Sequence, residues 1–345
     1  MTRNPANPNL SYLLNSMESI PCPICGCEEY HTVYEGHVVR GDVDLICVLC
    51  RNCTHLYLNP RPSLNAYSKF YDEDDYGRVA LAVKEKSYAE RPRMHDEEFF
   101  KRRTRHGKRL YEKYLKGILT KNDIVFDFGV GDGAWLYGLR EVTGCKIDGN
   151  EPMSLQVQFI EKRLGVDIFH APTEVLERPL IEKYKGRVKV AIASDALEHM
   201  VNPMKCLQIA WSILDDDGYL YICNWDFLDR MASPAAHGRL LKEYLSIDHV
   251  HYFHRNSYIF MAKKAGFEIL NFEPFSDIRP KPKHMEIFAR KGSIPEKIAP
   301  RLTHYQILSK IASIESEVKR YRAVSVRYRL HLIKKKVVEF AGTGK

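Results

Sequence analysis

The amino-acid sequence predicts an α/β protein built on a mostly parallel sheet. Short apolar segments alternate with stretches of helical periodicity, and the candidate strands are residues 124–128, 145–149, 166–169, 188–193 and 219–223. Repeated β–α units of this kind favour a parallel sheet with right-handed crossovers. Residues 265–270 and 284–290 have no helix between them, so they are predicted to pair antiparallel and end the sheet. A chain of 345 residues, 45% of them hydrophobic, can bury such a core as one large domain with appendages.

A glycine turn after the first strand is the most informative motif. The sequence reads Asp127-Phe-Gly129-Val-Gly131-Asp-Gly133, and an apolar pattern of helical spacing follows it. Glycines let the backbone approach a ligand closely, and the start of a helix offers unpaired N–H groups. Glu151, at the end of the second strand, is placed to accept hydrogen bonds from ribose hydroxyls. Together they predict a site for a nucleoside-containing cofactor.

Two features of the turn carry a family resemblance. Asp127 lies two residues before the first glycine, and the third glycine is Gly133. The turn resembles motif I of class I S-adenosylmethionine (SAM) dependent methyltransferases, and Gly149-Asn150-Glu151-Pro152 resembles their ribose-binding acidic motif. The resemblance implies a Rossmann-like methyltransferase sheet that binds SAM. The cofactor-binding residues it implies are Asp127, Gly129, Gly131, Gly133, Glu151, Pro152, Asp195 and Tyr76. The same glycines also satisfy the G-x-G-x-x-G/A pattern, so a nicotinamide cofactor is the alternative.

Six of the nine cysteines lie between residues 22 and 53, in the segments Cys22-Pro-Ile-Cys25-Gly-Cys27 and Cys47-Val-Leu-Cys50-Arg-Asn-Cys53. Two C-x-x-C pairs about two dozen residues apart are the spacing of a tetrahedral zinc ribbon. Either Cys47 with Cys50 or Cys50 with Cys53 could supply the second pair. We favour Cys22, Cys25, Cys50 and Cys53 as the ligands of a structural zinc ion.

The choice of Cys50 and Cys53 depends on the sequence that follows them. Cys50-Arg-Asn-Cys53-Thr-His55, leading into Leu58-Asn59-Pro60-Arg61-Pro62, resembles the N-terminal zinc-binding segment found ahead of a subset of small-molecule methyltransferases, notably sugar-modifying ones. In that family a glycine usually follows the second pair, whereas Thr54 stands here. The resemblance implies an acceptor of sugar type. Further along, residues 70–76 resemble a tyrosine-bearing loop that closes over cofactor and substrate in related enzymes, and surface packing of Tyr76 is the alternative.

The segment after the fourth strand carries the catalytic candidates. Ser194-Asp195-Ala-Leu-Glu198-His199 continues to Pro203 and resembles the D-x-L-E-H-x-x-x-P segment of this superfamily. Methyl transfer from SAM needs an aligned nucleophile and a place for its proton, which a histidine suits. His199 is therefore the predicted base and Asp195 is expected to hold the methionine part of the cofactor or to orient the pocket. Glu198 is a neighbouring candidate, although adjacent helical side chains point apart.

Other readings of the histidines remain open. His249 and His251, in Asp248-His249-Val-His251-Tyr252-Phe253-His254, fall where family members often line the acceptor pocket, so either could be the base instead. Each could equally be a core histidine with a satisfied hydrogen bond, and His199 could simply anchor the following helix. The run Lys101-Arg-Arg103-Thr-Arg105 is interpreted as a solvated helix face.

The positive charge is concentrated at the C-terminal end. Residues 301–345 hold 11 Lys and Arg against 3 Asp and Glu, an excess that equals the whole net charge of +8. Apolar residues at alternating steps of four and three predict an amphipathic helix. Its favoured role is packing, against the chain's own domain or a twin subunit in a homo-oligomer. Peripheral contact with an anionic membrane comes second, and nucleic acid third.

These observations divide the chain into an N-terminal extension (1–19), a zinc ribbon (20–62), a linker and helical segment (63–118), a SAM-binding methyltransferase domain (119–292) and a basic helical tail (293–345). The cysteine usage, together with the lack of a signal-peptide pattern or a long apolar stretch, leads us to expect a cytoplasmic protein, with the inner membrane face as a second location. The expected reaction is methylation of a sugar of a nucleotide sugar or surface glycan, with O-methylation preferred over C-methylation. An RNA methyltransferase and a scaffold with a vestigial SAM fold are the alternatives.

Overall fold

The fold is seen in a computed structural model, which describes residues 10–38, 40–72, 97–232, 240–274 and 284–322. The strands of these residues, in chain order, are β1 (Met17–Glu18), β2 (Tyr30–Val38), β3 (Val43–Cys50), β4 (Leu56–Leu58), β5 (Arg61–Pro62), β6 (Ile124–Phe128), β7 (Lys146–Asn150), β8 (Val188–Ser194), β9 (Leu214–Trp225), β10 (His251–Tyr252), β11 (Phe267–Pro274) and β12 (His284–Lys291).

The α-helices of the described residues lie before, between and after these strands. They are α1 (Ser11–Leu14), α2 (Leu64–Asp72), α3 (Glu97–Leu110), α4 (Ala134–Thr143), α5 (Ser154–Leu164), α6 (Glu177–Tyr184), α7 (Pro203–Ile213), α8 (Phe227–Ala232), α9 (Arg255–Lys264) and α10 (residues 304–322). A π-helical turn, Tyr111–Leu115, extends α3, and the 3₁₀ turn Leu197–His199 carries two of the catalytic candidates.

A six-stranded sheet with the order β11-β12-β9-β8-β6-β7 forms the centre of the fold. The pairs β7/β6, β6/β8 and β8/β9 are parallel, whereas β12 lies antiparallel to both β9 and β11. Apolar clusters cover both faces of this sheet. The predicted fold class is therefore confirmed: a Rossmann-like sheet, parallel except for a final antiparallel pair.

Two predicted strands differ from the observed ones. Residues 166–169 form no strand of their own, and a single parallel bridge joins Phe169 to Asn150. Strand β9 begins at Leu214, five residues before the predicted start. The ladder pairs Val188 with Leu214 and then Val190 with Tyr219, so the acidic segment 215–218 bulges out between two paired positions. The acidic segment 215–218 therefore interrupts the pairing within β9 instead of forming a turn before the strand.

The cysteine-containing segment belongs to a second sheet, of order β10-β4-β3-β2. Its fourth strand, β10, comes from a distant part of the chain and pairs antiparallel with β4, joining His251 to Tyr57 and Tyr252 to Leu56. A further backbone hydrogen bond runs from Leu58 N–H to the carbonyl of Val250. The N-terminal sheet is therefore completed by the loop that carries the second histidine cluster.

The described part of the basic tail packs against the chain itself. Helix α10 buries its apolar face, which consists of Ile307, Ile311, Ile314 and Val318, in the cluster that also holds Leu245 and Tyr252. The remainder of the amphipathic pattern, from residue 323 onward, lies outside the described residues. None of the helices that the structure describes is long and apolar enough to cross a membrane.

Replacing Ile307 by alanine is expected to lower the free energy of unfolding by about 2–5 kcal/mol, because it opens a cavity in this packed face. Ile307 is fully buried, whereas Leu302, on the same segment, is 37% exposed. Leu302→Ala is the matched control and should change the stability by less than about 1 kcal/mol. Denaturant titration measures both variants. Equal stability of Ile307→Ala and the wild type would show that α10 does not dock in this way.

Candidate active site

A cavity of about 370 Å³ opens at the carboxyl ends of the parallel strands. Ligands bind at this edge in open α/β sheets, because the loops that follow the strands diverge there. Most of the residues singled out from the sequence contribute to its wall, namely Asp127, Gly129, Gly131, Glu151, Pro152, Asp195 and His199. Tyr76 lies outside the described residues.

The glycine turn adopts left-handed backbone conformations. Gly129, Gly131 and Gly133 have φ values of 82°, 61° and 75°. A Cβ atom on Gly131 would meet no atom within 4 Å, so this position stays open toward the cavity. A Cβ on Gly133 would lie 2.7 Å from Leu164 Cδ1. Gly133 therefore lets the turn pack against α5, whereas Gly131 lets a ligand approach the backbone.

Glu151 is tied to this turn by its carboxylate. One oxygen accepts a hydrogen bond from Gly131 N–H at 2.9 Å, and the other accepts one from Met153 N–H at 3.0 Å. Burial raises the pKa of Glu151 to about 7, against the opposing effect of the two N–H donors. Each carboxylate oxygen keeps a second acceptor position. The side chain can therefore receive hydroxyl donors from a ligand in the cavity.

Asp127 ends up with an unsatisfied oxygen. The side chain is 2% exposed, and its Oδ1 has no hydrogen-bond partner among the described residues. Burial, together with the charge of Glu151, raises the pKa of this carboxyl well above its usual value. A buried acceptor without a partner carries a free-energy cost, which a ligand with an ammonium group or an N–H donor would relieve. The Asp127 position therefore fits the amino-acid part of SAM.

Arg103 also reaches this cavity, although the sequence suggested a solvated position for it. Its guanidinium donates to Asp132 Oδ2 at 2.7 Å, and Asp132 lies inside the glycine turn. The interpretation of residues 101–105 as a solvated face is thus wrong at Arg103, and also at Thr104, which is buried. Tyr67 and Tyr71 of α2 line the same cavity. Tyr71 belongs to the segment 70–76 that resembles a tyrosine-bearing loop, whereas Tyr67 was missed. No local pattern marks Arg103 or Tyr67, since their neighbours in space come from distant segments.

His199 lies in the cavity wall with its ring orientation fixed. Its Nδ1 is 2.7 Å from the backbone carbonyl of Asp248, which can only accept, so Nδ1 carries the proton and Nε2 carries the lone pair. Burial lowers the pKa of the imidazole, partly offset by the Asp248 carboxylate. Tyr71 meets the ring edge-on with centroids 6.1 Å apart. His199 thus presents a basic nitrogen at neutral pH.

Asp195 sits at the end of β8 in a left-handed conformation, with φ of 49°. Its Oδ1 is 2.9 Å from Nε2 of His284, the first residue of β12. Partial burial opposes ionisation of Asp195, but His284 outweighs this effect, and the pKa of the carboxyl is lowered. The cavity wall therefore includes a residue with an ionised carboxylate.

A second, much smaller cavity of about 30 Å³ lies beside Glu198, the residue before His199. Glu198 and His249 lie in its wall together with Trp225 and other aromatic residues. Burial and the nearby Asp195 raise the pKa of Glu198 to about 8, and burial lowers the pKa of His249 well below its usual value. The ring of His249 meets that of His199 edge-on, with centroids 4.5 Å apart. Glu198 and His249 are thus brought next to His199.

His251 has a different environment from His249. Its Nδ1 is 3.0 Å from Nε2 of His55, in the contact between β10 and the N-terminal sheet, and the side chain is buried. Burial lowers the pKa of His251 to about 3, so the ring is neutral at physiological pH. His251 lies in the wall of the small cavity but does not line the large one.

The cysteine ligands favoured from the sequence converge in space. The sulfur atoms of Cys22, Cys25, Cys50 and Cys53 all lie within 4.8 Å of one another. Cys47 instead packs in the apolar cluster on the other side of β3. Four thiolate donors at this separation fit a tetrahedral zinc ion.

Thr54 follows the Cys50/Cys53 pair, at the position where the similar zinc-binding segments usually have glycine. Thr54 adopts a left-handed conformation with φ of 62°. Its carbonyl accepts from His254 Nε2 at 2.7 Å, and its hydroxyl accepts from Asn256 Nδ2 at 2.6 Å. These two hydrogen bonds offset the backbone strain that glycine would avoid. They also link the cysteine turn to the start of α9.

Comparison with known proteins identifies the family. A family model described as a methyltransferase domain matches residues 99–271, half of the chain. The structure of the Burkholderia thailandensis 1,6-didemethyltoxoflavin-N1-methyltransferase, bound to 1,6-didemethyltoxoflavin and S-adenosylhomocysteine, is similar over 75% of this chain and 100% of its own, with 15% identity and a TM-score of 0.47. A SAM dependent methyltransferase from Archaeoglobus fulgidus covers 55% of this chain and 94% of its own, with 15% identity and a TM-score of 0.44. No curated protein sequence matches the chain.

The matched residues contain the glycine turn, Glu151, Asp195 and His199. The chain therefore belongs to the methyltransferase-domain family.

Proposed function

We propose that the protein transfers the methyl group of SAM to a hydroxyl group of a small-molecule acceptor of sugar type. The observation that supports this most is the geometry of His199, a residue of the cavity wall whose Nε2 is unprotonated. The sulfonium of SAM makes its methyl group electrophilic, whereas a sugar hydroxyl is too weakly acidic to react unaided. We assign the activation of that hydroxyl to His199.

The cofactor is assigned to the large cavity. The free acceptor positions of Glu151 suit the two ribose hydroxyls, because its carboxylate is already oriented by the N–H groups of Gly131 and Met153. The unpartnered oxygen of Asp127 and the ionised Asp195 suit the positively charged part of the methionine moiety. We further propose that the four clustered cysteines hold a structural zinc ion.

The sugar assignment depends on the resemblance of the Cys50–Pro62 region, residues 50–62, to the zinc-binding segment of sugar-modifying methyltransferases. The test is methyl transfer from radiolabelled SAM to a panel of nucleotide sugars, glycans, other small hydroxyl compounds and RNA. We expect the label in a nucleotide sugar or glycan. The position of the label in the product distinguishes methylation of oxygen from methylation of carbon. Transfer to RNA alone would contradict the proposal, and tight binding of RNA at physiological salt would do the same.

Replacing Glu151 by alanine is expected to weaken SAM binding by about 1–3 kcal/mol, on the order of 5- to 150-fold in Kd, because ribose hydroxyls lose a charged acceptor. Glu161→Ala removes an exposed glutamate from α5 and is the matched control. Calorimetry measures both affinities. Unchanged affinity of the Glu151 variant, or a wild type that prefers NAD to SAM, would overturn the cofactor assignment.

A further inference from the structure

Three side chains with metal-binding chemistry lie close together, two of them in the wall of the small cavity and one in the wall of the large cavity. Glu198 and His199 come from the 3₁₀ turn after β8, and His249 comes from the loop before β10. One ligand-type atom of each lies within 4.8 Å of the others. Two imidazoles and one carboxylate on neighbouring positions are a donor set that divalent transition-metal ions accept.

The surrounding hydrogen bonds orient these donors toward one another. His199 donates its Nδ1 proton to the carbonyl of Asp248, which leaves Nε2 with a lone pair 3.9 Å from Glu198 Oε1. The other oxygen of Glu198 accepts from Asn224 Nδ2. Imidazoles that bind metals commonly donate their second N–H to a carbonyl or carboxylate, because this contact fixes the tautomer. The arrangement at His199 has this form.

Glu198 is buried without a lysine or arginine partner among the described residues. Its side chain is 7% exposed, and no lysine or arginine of the described ranges lies within ion-pair distance of it. A buried carboxyl group favours its protonated form, and it gives up the proton when a metal ion binds to it. The Asp248 carboxylate, 3.6 Å from His249 Nε2, is different, since it is already bound by Arg40 at 2.6 Å. A cation held by Glu198 and the two histidines would replace the Glu198 proton and supply the countercharge.

The space available matches an ion. The small cavity beside Glu198 and His249 has a volume of about 30 Å³, enough for an ion with a water molecule but too small for a sugar ring. His199 faces the larger cavity from the same cluster. An ion held by these three residues would have one ligand from the wall of the large cavity and two from the wall of the small one. Three protein ligands leave coordination positions for oxygen atoms of an acceptor.

We propose that Glu198, His199 and His249 form a site for one divalent transition-metal ion that holds and activates the acceptor hydroxyl. The role in activation rests on the proposed function. The ion binds the hydroxyl oxygen and makes its proton more acidic. The proton leaves to water, and the bond from methyl carbon to sulfur breaks as the bond to the acceptor oxygen forms. His199 then activates the acceptor through the ion it helps to hold.

The test uses the full-length protein with Mn²⁺ as the probe. Electron paramagnetic resonance measures how much Mn²⁺ stays free, and metal analysis measures the zinc of the cysteine cluster in the same samples. We expect the wild type to bind one Mn²⁺, and Glu198→Gln and His249→Ala to lose it while they retain zinc and SAM affinity. His170→Ala removes a half-exposed histidine outside the cluster and is the matched control, which should bind Mn²⁺ like the wild type.

The proposed site would be overturned if the wild type binds no Mn²⁺. It would also be overturned if Glu198→Gln and His249→Ala both bind Mn²⁺ as tightly as the wild type. Circular dichroism identifies a cluster variant that fails to fold, and Mn²⁺ binding by the other cluster variant then decides the test. Activity separates the site from the proposed function. Mn²⁺ binding without methylation of any panel compound would retain the site and reject the acceptor assignment. Methylation that falls by less than about tenfold after chelation, with zinc still present, would reject the ion's role and retain the function.

Discussion

His199→Ala is expected to lower turnover by about 10²–10⁴-fold and to leave SAM affinity nearly unchanged, because the side chain acts on the acceptor and not on the cofactor. The lone pair on Nε2 is held in place by the hydrogen bond from Nδ1 to Asp248. Alanine removes both the lone pair and the ring that Tyr71 contacts. Single-turnover kinetics with labelled SAM measures the chemical step, and calorimetry measures cofactor binding.

The His170→Ala variant serves again as the control and should keep wild-type turnover. If His199→Ala stays active while His251→Ala does not, the activating residue is misassigned. His251→Ala needs a stability measurement as well, because its buried ring contacts His55 beside the β10/β4 pair of the N-terminal sheet. A loss of SAM binding in His199→Ala would show that His199 contacts the cofactor and not the acceptor.

Cys53→Ser should abolish zinc binding and unfold the cysteine-containing segment. Structural zinc ions contribute on the order of 10–16 kcal/mol of binding free energy in small zinc-finger peptides, and a serine hydroxyl cannot replace a thiolate ligand. Cys22→Ser should behave in the same way, since the sulfur atoms of Cys22 and Cys53 are 3.4 Å apart. Inductively coupled plasma analysis measures the zinc, and thermal unfolding measures the stability.

Cys27→Ser is the matched control, because Cys27 lies outside the cluster of four and its sulfur contacts the carbonyl of Glu29. It should retain one zinc ion per chain. A wild type without zinc would refute the assignment of the metal. Loss of zinc in Cys27→Ser but not in Cys53→Ser would show that the ligand set is wrong.

The effect of zinc loss should extend beyond the N-terminal sheet. Thr54, next to Cys53, accepts hydrogen bonds from His254 and Asn256, and Leu58 N–H donates to the carbonyl of Val250. The loop before β10 also contains Asp248, whose backbone carbonyl accepts a hydrogen bond from His199 Nδ1–H. The cysteine turn is thus linked by hydrogen bonds to the segment that orients the His199 ring.

The strands of the central sheet were predictable where a short apolar run coincides with burial on both faces. Ile124–Phe128 is observed with the predicted bounds, and the antiparallel end of the sheet is formed by Phe267–Pro274 and His284–Lys291. The strand predicted at residues 166–169 is not observed, because an apolar run forms a strand only if a neighbouring strand pairs with it along its whole length. Here a single bridge from Phe169 to Asn150 is made.

The sequence by itself determined the features that depend on near neighbours along the chain. The glycine turn needs left-handed conformations at fixed intervals, an acid follows the next strand, and C-x-x-C pairs place two thiolates on one turn. These patterns are readable because a few adjacent residues decide the backbone geometry. They were sufficient to predict the fold class and the likeness to SAM-dependent methyltransferases.

Only the tertiary structure decided which distant residues share a site. Arg103 reaches the glycine turn because α3 lies over it, and His249 meets Glu198 and His199 although about fifty residues separate them along the chain. The tail helix was ambiguous for the same reason, since an amphipathic pattern shows that a face is buried but not against what. Sheet order and helix docking determine such contacts, and they result from the packing of the whole chain, which no local spacing encodes.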